Sequence, residues 1–108
     1  MFSKSNDGEY KDMLPGIKMR VTAYGDKTLM SEFKLQKGSV LPPHSHIHEQ
    51  IGYLVSGKII LHIGDESFET LPGDSWCIKS GINHSADALM DSVAVEVFSP
   101  VREDYLPV

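Results

Sequence analysis

Apolar and polar residues alternate with a period of two through most of this chain. Residues 28–35 set Leu29, Ser31, Phe33 and Leu35 against Met30, Glu32 and Lys34, the pattern of a half-buried strand. Residues 52–63 read as two strands broken at Ser56-Gly57, with Leu54 before the break and Ile59, Leu61 and Ile63 in line after it. Gly64-Asp65-Glu66 predicts a hairpin turn. Phe68 and Leu71 fall in the next strand, which ends at Pro72-Gly73-Asp74; Trp76 and Ile78 fall in the one after. Phe33, Phe68 and Trp76 are expected in the core. The turn Ser80-Gly81-Ile82-Asn83 follows, and residues 92–98 predict a late, largely buried strand. No segment offers a ten-residue amphipathic helix. Short strands at regular turn spacing imply an all-β sandwich or barrel. Residues 1–12 are polar and expected to be loosely ordered, and Leu14-Pro15-Gly16 turns into a single folded domain spanning 13–108.

Composition narrows the partners. The chain has 108 residues, enough for one domain. Its net charge of −5 supplies no basic patch to displace counterions from nucleic acid, and argues against an anionic membrane surface. Cys77 is the single cysteine, so no intrachain disulfide forms and a reducing compartment is expected. The polar start MFSKSNDGEY lacks the apolar run of a signal peptide. No apolar stretch reaches the roughly 20 residues of a spanning helix. A cytoplasmic protein is the expectation.

The chemistry concentrates in histidines. Three of the five fall at His44, His46 and His48, just after Pro42-Pro43. In an extended segment, alternate side chains share a face, so His44, His46, His48 and Gln50 are expected to point one way and Glu49 the other. Imidazole is a common ligand for zinc, iron, copper and nickel. A metal site needs a further ligand from elsewhere, and His84 follows a turn in a separate hairpin. Glu49 is the alternative oxygen donor if the strand bulges. His62 reads as an ordinary strand histidine and Cys77 as a buried, inert thiol.

Two segments together resemble the paired motifs of the cupin superfamily. The first runs Gly38-SVLPP-His44-Ser-His46-IHE-Gln50-IGYLVS-Gly57, with Gln50 where the family places a glutamate. The second runs Gly73-DSWCI-Lys79-Ser80-Gly81-IN-His84-SAD-Ala88, with Lys79 replacing a proline and Ala88 an asparagine. The 15 residues Lys58 to Pro72 separate them, the compact spacing of small microbial cupins. The resemblance implies a single-domain, jelly-roll-like β-barrel, frequent homodimers, and one divalent metal ion held by His44, His46, Gln50 and His84. Zn, Fe, Mn, Ni and Cu all suit three imidazoles and an amide oxygen. A neutral glutamine leaves the ion its full charge, which favours an anionic ligand. His48 is placed beside the ligands or on the rim.

The tail sharpens the resemblance. Glu96, Phe98 and Arg102 are similar in spacing to an acidic residue, an aromatic residue and an arginine of the pectin-degradation cupins. Those enzymes convert cyclic unsaturated uronates into linear keto forms. The resemblance implies an acid/base role for Glu96 and contact of Arg102 and Phe98 with a carboxylate substrate; His48 is a further candidate for substrate contact. Glu96 is one methylene longer than the aspartate of that pattern. Read from the residues alone, Glu96 suits either the solvent face of its strand or the cavity. Two further functions fit the same motifs: an Fe or Mn dioxygenase acting on a small enol or phenol, and a non-catalytic cupin that binds a metal or small ligand.

Overall fold

The computed structural model describes residues 1–106. Ten strands follow in order: β1 (Lys11–Leu14), β2 (Ile17–Tyr24), β3 (Leu29–Leu35), β4 (Val40–His44), β5 (Glu49–Ser56), β6 (Ile59–Ile63), β7 (Glu66–Thr70), β8 (Ser75–Ile78), β9 (His84–Ala88) and β10 (Ser92–Ser99). A single 3-10 turn, Glu103–Tyr105, closes the described chain. Every strand pair is antiparallel. One sheet runs β1-β2-β3-β10-β5-β8 and the other β4-β9-β6-β7. The result is the all-β, jelly-roll-like fold expected.

The alternation seen in the sequence sets the faces. In β10, Ser92, Ala94, Glu96 and Phe98 are buried while the intervening valines are half-buried. In β5, Gln50, Gly52 and Leu54 turn inward. Ile17, Leu35, Leu54, Ile59, Leu61, Ala86, Ala88 and Ala94 form the core, with Phe33 and Trp76 packed against it. Phe68 departs from expectation. It stands 44% exposed, because β7 is the edge of its sheet and the inward residue there is Thr70. Lys11 and Asp12, assigned to the loose segment, already pair with Met19 and Lys18.

Two local devices shape the open end of the sandwich. Gly64, at φ 57°, opens the two-residue loop between Ile63 and Glu66, a conformation that favours glycine. The β4–β9 ladder slips between Leu41 and His44. Pro42 and Pro43 lie inside that slip and have no N–H to offer a ladder. The bulge re-aims the strand end and sets His44 directly opposite His84.

Candidate metal centre

The expected continuous strand from 44 to 50 is interrupted. β4 ends at His44 in the four-stranded sheet, β5 begins at Glu49 in the six-stranded sheet, and residues 45–48 cross between them. His44, His46 and His84 nevertheless converge. Their ligating nitrogens lie within 4.8 Å of one another. Ring centroids are 4.1 Å apart for His44–His84, 4.9 Å for His46–His84 and 5.6 Å for His44–His46.

Each ring is held the same way. His44 Nδ1 lies 2.9 Å from the Pro42 carbonyl, His46 Nδ1 2.9 Å from that of His48, and His84 Nδ1 2.8 Å from that of Ile82. A carbonyl only accepts, so each Nδ1 carries the hydrogen and each Nε2 keeps its lone pair. Nε2 of His46 and of His84 is buried with no partner among the described residues. Burial, with the Arg102 charge adding to it, holds His46 below the usual imidazole range. Burial pushes His84 down to about 4. Both rings are therefore neutral near pH 7, the form that binds metal.

Gln50 supplies an oxygen. It is buried on β5; its Nε2 donates to Glu96 Oε2 at 2.8 Å, and its Oε1 is buried with no partner. Buried polar atoms are rarely left unpaired. Three orphaned lone pairs in one pocket, two imidazole and one amide, fit a divalent metal. Glu49 is on the opposite face, exposed, near Cys77. It is not part of the cluster, and Cys77 is itself exposed rather than buried.

The cavity beside the cluster measures about 130 Å³. Glu96, Phe98 and Arg102 all line it, so Glu96 takes the cavity face of β10, not the solvent face. Burial pushes the Glu96 carboxyl up to about 8, against the opposing hydrogen bonds from Gln50 and Trp76. Phe98 packs edge-on to His46 at 5.9 Å. Arg102 donates from Nε to Asp104 Oδ1 at 3.0 Å and from its terminal nitrogen to Oδ2 at 2.7 Å. Its guanidinium lies over the rings of Phe98 and Tyr105. His48 does not line the cavity; its ring stands edge-on to His46 with centroids 5.6 Å apart, and its carbonyl holds the His46 ring.

Three residues escaped the sequence reading. Trp76 lines the cavity and donates to Glu96 Oε1 at 3.2 Å. Tyr105 lines it too and stacks on Arg102. Asp104 clamps that arginine. The spacing Arg-x-Asp-Tyr was the available signal for the last two. His62 bonds Ser67 and Asp87 on the outer side of its sheet and joins no metal cluster among the described residues.

The fold has counterparts among solved structures. KdgF from Halomonas sp. superimposes with a TM-score of 0.93 at 32% identity, covering 98% of each chain. An RmlC-like cupin from Shewanella frigidimarina also reaches 0.93, at 25% identity, over 97% of this chain and 95% of that one. A predicted oxalate decarboxylase from Thermotoga maritima reaches 0.82 at 19% identity, covering 94% of this chain and 100% of its own, a likeness of fold alone. No curated protein sequence matches. A family model described as a cupin domain matches residues 31–99, a span that holds the three histidines, Gln50 and Glu96. The chain belongs to the cupin family.

Proposed function

We propose that this protein is a metal-dependent cupin enzyme that converts a small unsaturated uronate to its linear keto form. One divalent ion would be held by His44, His46, His84 and Gln50. One observation carries this reading: the three-histidine cluster, an unpartnered amide oxygen, a buried carboxyl and a guanidinium share one cavity. The resemblance to the pectin-degradation cupins and the likeness to KdgF point the same way.

Bound there, the ion supplies a Lewis acid that polarises a substrate oxygen. Arg102 binds the substrate carboxylate through the guanidinium hydrogens that Asp104 leaves free. Phe98 packs against the sugar and excludes water. The conversion is an isomerisation: one proton leaves a hydroxyl oxygen and one arrives at carbon. Glu96, which burial keeps largely protonated near pH 7, gives its proton to the carbon and takes up the one the hydroxyl releases. The same reading includes a cytoplasmic homodimer. Met30, Ile51, Tyr53 and Val55 are exposed on the outer face of the six-stranded sheet, an apolar surface that a second copy would cover.

The test is direct. Metal-loaded protein mixed with unsaturated galacturonate should remove its ultraviolet absorbance without consuming oxygen, and chelation should stop it. No loss with any of the five metals would sink the proposal. A second reading, an Fe or Mn dioxygenase acting on a small enol or phenol, is favoured by the apolar part of the cavity lining, which includes Phe33, Leu41, Leu61, Ile78, Ala86 and Ala94. Oxygen uptake that tracks metal loading would support it.

A further inference from the structure

Glu96, Gly52 and Trp76 stand in one row across three neighbouring strands. Glu96 of β10 pairs with Gly52 of β5, which pairs in turn with Trp76 of β8. A Cβ on Gly52 would lie 2.2 Å from Trp76 Cε2, so the indole lies against bare backbone. That contact lets Nε1 reach over β5 and donate to Glu96 Oε1 at 3.2 Å. The other carboxyl oxygen, Oε2, accepts from Gln50 Nε2 at 2.8 Å. Gln50 is 6% exposed, and its Oε1 has no partner.

A primary amide has one donor end and one acceptor end. Whatever fixes the first fixes the second. We propose that Trp76 is a positioning residue for the fourth metal ligand. Its indole N–H pins Glu96, Glu96 takes the amide nitrogen of Gln50, and the Gln50 carbonyl oxygen is thereby kept for the ion. The inference rests on the metal-centre reading above and goes beyond it by assigning the arrangement to a residue outside the proposed ligand set. Partners at this remove commonly govern metal affinity by 10- to 100-fold. Freed of its indole donor, Glu96 shifts toward other rotamers and the amide samples both orientations. One of them presents N–H hydrogens to a cation.

The experiment is a Co²⁺ titration of the full chain, followed by the visible ligand-field bands, for wild type and Trp76→Phe. Phenylalanine keeps an aromatic ring near Gly52 and deletes the donor. Thermal melts of the metal-free proteins are measured alongside. The expected result is an affinity about tenfold weaker or more, with altered band intensities and a folded metal-free variant. Equal affinity and an identical spectrum would overturn the role of Trp76 and leave the metal centre standing. A wild-type protein that binds no Co²⁺ would remove the metal centre and this inference with it. Should Trp76→Phe fail to fold, wild type still decides. Trp76 is the only tryptophan, so its indole N–H gives a single NMR signal. That signal should move with Zn²⁺ in step with the histidine signals, and one that stays fixed would overturn the proposal.

Discussion

His44 and His84 face each other directly across the β4–β9 ladder, with ring centroids 4.1 Å apart. The two rings gain little from each other, and the buried Nε2 of His84 has no hydrogen-bond partner among the described residues. A ligand that satisfies them binds the folded state and not the unfolded one. Zinc at 100 times its dissociation constant should therefore stabilise the protein by about 2.7 kcal/mol. For a domain of this size that raises the melting temperature by about 10 °C. His84→Ala should abolish the rise. Differential scanning calorimetry with and without zinc checks both, and an equal rise in the variant would exclude His84 as a ligand.

Glu96 and His84 give the metal-free protein an unusual pH dependence. The Glu96 carboxyl is raised to about 8 in the fold. Its contribution to stability is complete below pH 4.5 and is lost as pH climbs through 8. His84 is depressed to about 4. Its contribution is present above 6.5 and is lost as pH falls toward 4. The two slopes oppose each other between 4.5 and 6.5. Above 6.5 only Glu96 acts, so stability should fall by up to about 2 kcal/mol between pH 6.5 and 8, at 1.36 kcal/mol per unit. Urea unfolding of chelator-treated protein measures it. Glu96→Gln should flatten that limb, and a variant as pH-sensitive as wild type would refute the assignment.

The same substitution carries a second expectation. Glu96 accepts from Gln50 on one oxygen and from Trp76 on the other. A glutamine has only one oxygen. Whichever donor meets its NH₂ instead loses its acceptor, and if that donor is Gln50 the amide must turn over. Glu96→Gln should therefore weaken metal affinity as well as turnover. Metal content equal to wild type after dialysis against a competing chelator would show that Gln50 keeps its orientation unaided.

Alternation made β3, β5, β6 and β8 legible because each has one covered face, and β10 read as a buried apolar run. β2 went unread although Ile17 and Met19 alternate inward on it. β4 was not legible, since Pro42-Pro43 interrupts the pattern and the ladder bulges there. Phe68 misled because alternation tells which residues share a face, not whether the face of an edge strand is covered. The three clustered histidines were legible because their spacing is local within each motif. Trp76 and Asp104 were not. Trp76 acts through the cross-strand row Glu96–Gly52–Trp76, and register is a property of the assembled sheet. Gly52 was the one local hint, a glycine at an inward strand position where a neighbour crosses close.

Asp104 supports Arg102 from the rim. The guanidinium is forked onto its carboxylate and stacked on Phe98 and Tyr105. Asp104 is largely exposed, so Asp104→Asn should cost at most about 1 kcal/mol of stability. Its effect belongs to substrate binding. KM for a uronate should rise several-fold with kcat little changed, because the freed arginine must be ordered by each substrate that arrives. Arg102→Lys should do worse, since an ammonium keeps the charge but neither forks nor stacks. Steady-state kinetics on the three proteins separates these outcomes, and an unchanged KM in Asp104→Asn would remove the clamp from the binding site.

Two glycines offer a matched pair of controls. A Cβ on Gly52 would meet the Trp76 ring at 2.2 Å, and one on Gly57 would meet Ser92 Oγ at 2.2 Å. Both positions are overpacked by a single methyl group, at a typical cost of about 1–3 kcal/mol. Gly57 also sits at φ 90°, which adds backbone strain for any other residue. The consequences should diverge at the metal centre. Gly52→Ala pushes the indole off β5, breaks its bond to Glu96 and should weaken zinc binding. Gly57→Ala disturbs the β5–β6 turn at the opposite end of β5 from Gln50 and should leave zinc affinity intact despite an equal or larger loss of melting temperature. Zinc affinity measured on both variants by competition with a chromogenic chelator distinguishes the two. If affinity follows stability in both, the coupling from Gly52 through Trp76 to the site is general loosening of the sheet and not a directed contact.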